Sequence, residues 1–458
     1  MRKLFITVAM IVGMMLLVYT PARSHNEYEI LELSDSPYMD YAPKINDAGQ
    51  VVWQGGDGND FEVFFFDGTR IRQLESDTYP DEAPNLNNKG HVVWQGYDGN
   101  DFEIFLYDGT TVVKLTDNDS NDLYPNINDA GQIVWVHFDP SSNMFSVIIR
   151  QPDGTLVTIG TMYDFCHYWP TPLINAKGQV AWVANDGVDY EIYFYNGVNA
   201  IQLTNNTSND CNPSLNNNGI LVWQDQVDGV YQIFMYDGTN VVQVTSDLLI
   251  NFTSPKINDA GQIAWQGSNG SLYWIYLYTG GTVKTLTEQN FVAGGVQLNS
   301  SGKVIWQSWT GTNDDLYLYE GTLPPKNITM SSYIDRSPQI NARGDIVWFC
   351  FEGYETEILL ALAVTPSELI QRLEAHVVAL HLEKKLEKVL TGKTKHALHF
   401  TEKGRPESAI KVLEDFKQLV AKESGNGIEP TDATALIEET DQIINLLKLN
   451  IEEANEDH

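Results

Sequence analysis

Pro125-Asn126-Ile127-Asn128-Asp129-Ala130-Gly131-Gln132-Ile133-Val134-Trp135 is the stretch from which this 458-residue chain can be read. Its skeleton occurs eight times. The Asn returns as Asn46, Asn87, Asn128, Asn175, Asn216, Asn258, Asn299 and Asn341. Three residues later comes Gly49, Gly90, Gly131, Gly178, Gly219, Gly261, Gly302 or Gly344. Four further on is Trp53, Trp94, Trp135, Trp182, Trp223, Trp265, Trp306 or Trp348. The Trp-to-Trp steps are 41, 41, 47, 41, 42, 41 and 42 residues. A period in the low forties built of short strands predicts an eight-bladed β-propeller, one four-stranded blade per repeat.

The chemistry of the unit supports this. In Asn-x-x-Gly the Asn side chain bonds nearby backbone and the Gly takes a positive φ without steric cost. The turn joins a short Pro-x-Ile-Asn strand to a second strand ending in Trp. In Gln50-Val51-Val52-Trp53 apolar side chains fall on both faces, as expected for a sheet buried on both sides. Phe102-Glu103-Ile104-Phe105-Leu106-Tyr107 reads as a third strand, Asp108-Gly109 as a hairpin, and Thr111-Val112-Val113-Lys114-Leu115-Thr116 as a fourth. Residues 27–33 resemble a fourth strand without its first three. The last repeat, after Trp348, has a third strand at Thr356-Glu357-Ile358-Leu359-Leu360 but no fourth. The N-terminal strand is therefore expected to complete the eighth blade and remove two free sheet edges.

Residues 1–24 read as a secretory signal. Arg2 and Lys3 precede an apolar run over 4–19, and Ala22-Arg23-Ser24 offers small residues for cleavage. The run is short for a membrane span, and no later run is long enough for one. The expected location is secreted or periplasmic. The chain carries 28 basic and 61 acidic residues. Residues 25–364 hold 13 basic and 43 acidic, a net of −30. Such a surface disfavours nucleic acid and anionic membranes, which are bound through positive charge, and favours cations and cationic partners.

At Thr365 the apolar period changes from two to helical. Thr365-Pro366-Ser367-Glu368 is a capping box with Pro at the first helical position. Leu369, Leu373, Val377 and Leu380 follow at helix spacing, and further helices are expected over 383–402, 406–424 and 431–449. Residues 365–458 thus read as a small four-helix bundle, with a frayed acidic end from Ile451 to His458.

The repeat resembles the TolB-like propeller repeat through positions such as Asp122, Pro125, Gly131, Trp135 and the Leu115-Thr116 strand, over about residues 27–364. It departs from that pattern at the turn, where Asn128-Asp129-Ala130-Gly131 stands in place of Ser-Pro-Asp-Gly. It also differs from the sialidase Asp-box, in which Trp follows Gly by three residues rather than four. The tail resembles the FIMAH domain through Leu-Ile-x-x-Leu-Glu at Leu369 to Glu374 and Asp-x-Ile-Ile-x-Leu-Leu at Asp441 to Leu447. That resemblance implies an accessory or adhesive role, with cell-surface association through the bundle, and no reaction.

Three groups of residues are candidates for chemistry. Asp40, Asp81, Asp122, Asp210 and Asp335 each stand three residues before a blade Pro. Placed on loops between blades at the channel rim, they would form a carboxylate ring for Ca²⁺, a hard cation suited to hard oxygen ligands. The other reading is that each fixes its own loop. Asp57-Gly58-Asn59-Asp60, Asp98-Gly99-Asn100-Asp101, Asp186-Gly187-Val188-Asp189 and Asp117-Asn118-Asp119-Ser120-Asn121-Asp122 resemble fragments of Ca²⁺ loops or are ordinary turns. The third unit is longer than its neighbours, in the loop from His137 to Asn143 and in an exit loop rich in aromatics. Tyr163, Asp164, Phe165, His167, Tyr168 and Trp169 of that exit loop either bind a ligand or pack over the blade.

Support for catalysis is thin: no nucleophile–base pair, phosphate loop or zinc motif stands out, and His396 and His399 have no third ligand partner in the sequence. Cys166 and Cys211 lie in adjacent exit loops, where a disulfide is permitted outside the cytoplasm. Cys350, in a strand, is expected to be buried and outside any disulfide. The expectation is an exported, non-catalytic binding protein for a protein, glycan or cation-bridged ligand. The rival is a glycan-active hydrolase or lyase with carboxylates around the channel.

Overall fold

The computed structural model describes residues 28–165, 171–287, 293–321, 324–353 and 355–456; the expected signal segment lies outside them. The chain forms two compact units that divide after Ala361. The first is an eight-sheet propeller. Seven sheets run in chain order from the innermost to the outermost strand, as in Asp40–Ile45, Val51–Gly56, Phe61–Phe66 and Ile71–Gln73. The eighth is Ile334–Ile340, Ile346–Glu352 and Glu355–Ala363, completed by Tyr28–Glu32 from the N-terminus. The Leu33 amide extends that pairing, donating to the Ile358 carbonyl at 2.8 Å.

Burial on both faces explains the apolar strands. Val51, Val52 and Trp53 are all essentially inaccessible. Val52, Val63 and Phe65 of the first blade pack with Val92, Trp94 and Tyr107 of the second. Each repeat Trp faces the third strand of its own blade. Trp53 stacks on Phe64 with centroids 5.6 Å apart, and Trp94 on Phe105 at 5.7 Å. Such aromatic pairs add ~0.5–1.5 kcal/mol beyond the area they bury.

The innermost strands carry a bulge before the blade Pro. Ala42, Ala83, Tyr124, Asn212, Ser254 and Ser337 there take φ between 50° and 55°. The residue after the Trp holds the next blade at this bulge: Gln95 accepts the Tyr124 amide at 2.8 Å, and Gln224 the Ser254 amide at 2.9 Å.

The repeat Asn closes the ring. The Asn46 side chain accepts the Ala48 and Gln50 amides of its own turn and donates to the Asn87 carbonyl at 2.9 Å. The same donation passes from blade to blade and ends with Asn341 donating to Asn46. Gly49 supplies the φ of 77° that its turn requires.

The second unit has four helices, α1 (Pro366–Ala379), α2 (Lys384–Glu402), α3 (Pro406–Glu423) and α4 (Pro430–Glu456). The capping box forms as expected: Thr365 accepts the Glu368 amide at 3.2 Å, and Glu368 accepts the Thr365 amide at 2.9 Å. Ile370, Leu373, Leu390, Leu413, Phe416 and Leu436 are among its fully buried core residues. One expectation is corrected. The acidic end continues α4 as far as Glu456 instead of fraying at Ile451. After Pro430 neither Gly nor Pro interrupts it, and half-buried Ile451 continues the spacing of Ile444 and Leu447. Among the described residues no helix is long and apolar enough to cross a membrane.

Candidate functional site: the acidic hairpin face of the propeller

The five Asp residues expected on inter-blade loops stand instead within five separate blades, at the start of the innermost strand or immediately before it. All are at most 5% exposed. Trp53 donates its indole N–H to Asp40 at 3.0 Å, Trp135 to Asp122 at 2.7 Å, Trp223 to Asp210 at 2.8 Å and Trp348 to Asp335 at 2.8 Å. Asp81 takes the same place beside Gly96 in the second blade. Glycine opposite the carboxylate makes room for it: a Cβ on Gly55 would collide with Asp40 Oδ1, and one on Gly96 with Asp81 Oδ1. None of the convergent carboxylate groups among the described residues includes any of the five. The bulge explains the displacement. The left-handed residue two after each Asp turns the strand, so that the carboxylate meets its own Trp and not the channel.

Three of the four convergent carboxylate groups among the described residues are built around hairpins between second and third strands. In the first blade Asp57 Oδ1 accepts the Asn59 amide at 2.8 Å, closing the turn. Gly58 takes a φ of 105°. The third strand then brings Glu62 opposite Gly55. Asp57, Asp60 and Glu62 each place an oxygen within 4.8 Å of the other two. The same geometry gathers Asp186, Asp189 and Glu191 in the fourth blade, whereas in the second Asp98 and Glu103 converge with Asp117 from the loop after the fourth strand. The glutamates are the residues that sequence reading missed; the signal was the recurrent Asp-Gly-x-Asp-x-Glu. Burial, then the carboxylates of Asp60, Asp57 and Asp77, push Glu62 up to about 7. Burial, then Glu62 and Glu75, push Asp81 up to about 8. Burial, then Asp225 and Glu191, do the same to Asp210.

In an up-and-down blade the loops joining second to third strand and fourth to next first strand leave at one end. The acidic hairpins and the exit loops therefore share a face. Tyr163 lies there, 64% exposed. Asp164 and Phe165 do not belong to a loop: they form a short strand pairing with Asn185 and Ala184, and Asp164 accepts the Tyr190 hydroxyl at 3.2 Å. Phe165 thus holds the place that Asp40 and Asp122 hold in their blades. His167, Tyr168, Trp169 and Cys166 lie outside the described residues, and with them the question of a Cys166–Cys211 disulfide. Cys211 and Cys350 are buried. The long loop of the third blade is confined to 140–143, because His137 and Asp139 extend the second strand, Ile133–Asp139.

Tyr163 has two counterparts on this face. Exposed Tyr38, Tyr79 and Tyr163, from three exit loops, lie over Gly58, Gly99 and Gly187, the glycines of the three acidic hairpins. A Cβ on Gly58 or Gly99 would collide with the tyrosine ring and hydroxyl. An aromatic plate beside a carboxylate cluster is therefore built three times. Leu249 and Met330 on other loops, and Trp309 at the end of the strand Val304–Trp309, are also exposed on this face.

The opposite end of the channel opens into a cavity of about 420 Å³ rimmed by Asp47, Asn88, Asp129, Asn217 and Asp259. These rim groups bond one another, as Asn88 does in donating to Asp129 at 3.0 Å and Asp47 at 3.2 Å. On the innermost strands stand Lys44 and Lys256. Burial lowers both, and Lys256 falls to about 8 with Lys44 adding to the effect.

Residues 366–445 match the model of the FIMAH domain. No curated protein matches the chain. Among solved structures, dipeptidyl peptidase 4 of Porphyromonas gingivalis is similar at 11% identity and a TM-score of 0.53, covering 67% of this chain and 56% of the peptidase. The β-propeller domain of the Trilobed protease from Pyrococcus furiosus is similar at 12% identity and a TM-score of 0.46, covering 64% of this chain and 98% of that one. Virginiamycin B lyase from Staphylococcus aureus is similar at 10% identity and a TM-score of 0.43, covering 73% of this chain and 99% of the lyase. Of these, the likeness to the peptidase speaks to the fold alone. The chain is an eight-bladed propeller protein with a C-terminal FIMAH match.

Proposed function

We propose that the protein is an exported, non-catalytic binding protein whose propeller grips an extended ligand on the acidic hairpin face. The observation that carries this is the thrice-built pairing of an exposed tyrosine with an acidic hairpin: Tyr38 over Gly58, Tyr79 over Gly99 and Tyr163 over Gly187. An aromatic ring stacks on the apolar face of a sugar, while nearby carboxylates accept from its hydroxyls. Repeating the pair along one face suits a chain of sugars better than a single small molecule, since linked sites multiply weak affinities. A glycan is thus the ligand this geometry supports best, with a protein presenting exposed side chains as the other reading. Export is supported by the leader-like residues 1–24 and by the acidic composition, and the FIMAH match fits an accessory role. The test is a glycan and protein array probed with the full chain, followed by titration of the best partner against Tyr38→Ala, Tyr79→Ala and Tyr163→Ala. Weaker binding by each variant with an unchanged melt supports the reading. Binding that survives all three substitutions overturns it.

A further inference from the structure

The acidic hairpins of the first and fourth blades contain buried carboxylate oxygens that the protein leaves without hydrogen bonds. In the first blade these are both oxygens of Asp60 and both of Glu62, the latter 1% exposed. In the fourth they are both oxygens of Asp189 and Oε2 of Glu191, the latter fully buried. Buried charge without a partner is strongly unfavourable, so buried carboxylates are paired or coordinate metal.

Other blades show that the fold can satisfy this position when it needs no ion. The residue opposite the second position after the Trp is Glu62, Glu103 and Glu191 in the acidic blades, but Gln232 in the fifth and Asp315 in the seventh. Gln232 donates to the Asp247 carbonyl at 2.9 Å and accepts from Thr245 at 2.9 Å. Asp315 accepts from Asn313 at 3.1 Å and from Asn327 at 2.6 Å. Both are fully engaged by neighbours.

In the second blade, where Asp101 Oδ1 and Glu103 Oε2 also lack hydrogen bonds, a cation is already in place beside the cluster. There Lys114 brings its ammonium to Asp98 at 2.6 Å and to Asp117. Lys114 pairs with Phe105 on the third strand, and the matching places in the first and fourth blades, opposite Phe64 and Tyr193, hold Gln73 and Gln202. Neither glutamine brings a charge. Among the described residues no lysine or arginine pairs with the first or fourth cluster. The fourth convergent group, Glu32, Asp35 and Glu357, differs again, because Ser34 donates to Glu357 at 3.3 Å.

We propose that Asp57, Asp60 and Glu62, and likewise Asp186, Asp189 and Glu191, each hold one Ca²⁺-class divalent cation, doing for the first and fourth blades what the Lys114 ammonium does for the second. The donor set is all carboxylate oxygen, which selects a hard cation. Two oxygens on one Ca²⁺ lie at most about 5 Å apart, twice the Ca–O distance, and the three donors of each site fall within 4.8 Å of one another. Water completes the shell on the solvent side. This inference stands apart from the glycan reading, since the sites are argued from unpaired charge and the test uses the metal alone.

The full chain, stripped with chelator and dialysed into metal-free buffer, is equilibrated with CaCl₂, and bound calcium is measured by atomic emission. The expected result is about two ions per chain, with a higher melting midpoint in calcium than in chelator. The double variant D60N/E62Q should lose one ion, and D189N/E191Q the other. In chelator both variants should melt at or above the wild type, since each removes like-charge repulsion; in calcium they should fall below it. This reversal separates ion loss from a failure to fold. No bound calcium at millimolar concentration, or a stoichiometry unchanged by both variants, overturns the proposal.

Discussion

The side-chain amide of Asn341 donates to the backbone carbonyl of Asn46 at 2.9 Å, across 295 residues of chain. It is the last of eight equivalent donations and makes the ring of turns continuous. Asn341 is 4% exposed, and its Oδ1 also accepts the Asp345 amide at 2.9 Å. Replacing it with Ala leaves buried groups of two blades unsatisfied. Asn341→Ala should therefore destabilise the propeller by ~1–3 kcal/mol in chemical denaturation. An unchanged midpoint would show that the ring of amides contributes nothing to closure.

Closure has a second component in the N-terminal strand. Deleting residues 28–33 strips the outermost strand from the eighth blade and exposes the edge of Glu355–Ala363. A cooperative propeller should respond as a whole, with a lower melting midpoint and a stronger tendency to aggregate through the new edge. If the trimmed protein melts like its parent, the strand is an accessory rather than a closing element.

His137 offers a test by pH. Its Nδ1 lies 2.8 Å from Asp122 Oδ1, the oxygen that also accepts the Trp135 indole. The hydrogen bond to Asp122 holds the imidazole pKa above its ordinary 6.5. A folded-state pKa above the unfolded one adds stability that is complete below the unfolded value and is lost as pH rises through the folded one. His137→Gln should therefore lower the melting midpoint at about pH 5.5 and have a smaller effect at about pH 8.5. Equal losses at both values would mean that the ring acts by packing and not by charge.

Lys114 provides a gain-of-site test. Lys114→Gln removes the ammonium between Asp98 and Asp117 and gives the second blade the residue type that Gln73 and Gln202 supply in the first and fourth. The variant should bind about one calcium ion more than the wild type. Unchanged stoichiometry would mean that the lysine is not standing in for a metal.

Much of the fold was legible because it is local and repeated. Asn-x-x-Gly and a Trp at fixed distance need only turn chemistry and a period, and the capping box at Thr365 needs only four residues. The site was less legible because it depends on register. Asp40 precedes its Pro at the same spacing in five blades, but the left-handed residue at Ala42 turns its carboxylate to Trp53 rather than the channel. Glu62 lies two residues beyond a hairpin that ends, as turn chemistry, at Asp60. Only the pairing of Glu62 with Gly55 shows that it points back at Asp57. The set of tyrosines was harder to see, since Tyr38 and Tyr79 stand 20 residues before the glycines they cover but Tyr163 stands 24 before its own.

In the proposed function the acidic hairpin face is the one that binds. The most direct measurement is hydrogen–deuterium exchange of the full chain, free and bound to the tightest partner from the array. Protection should gather in peptides carrying Tyr38, Tyr79 and Tyr163 and the hairpins at Gly58, Gly99 and Gly187. Protection centred on Asp47, Asn88 and Asp129, at the opposite mouth of the channel, with the hairpin face unchanged, would contradict it.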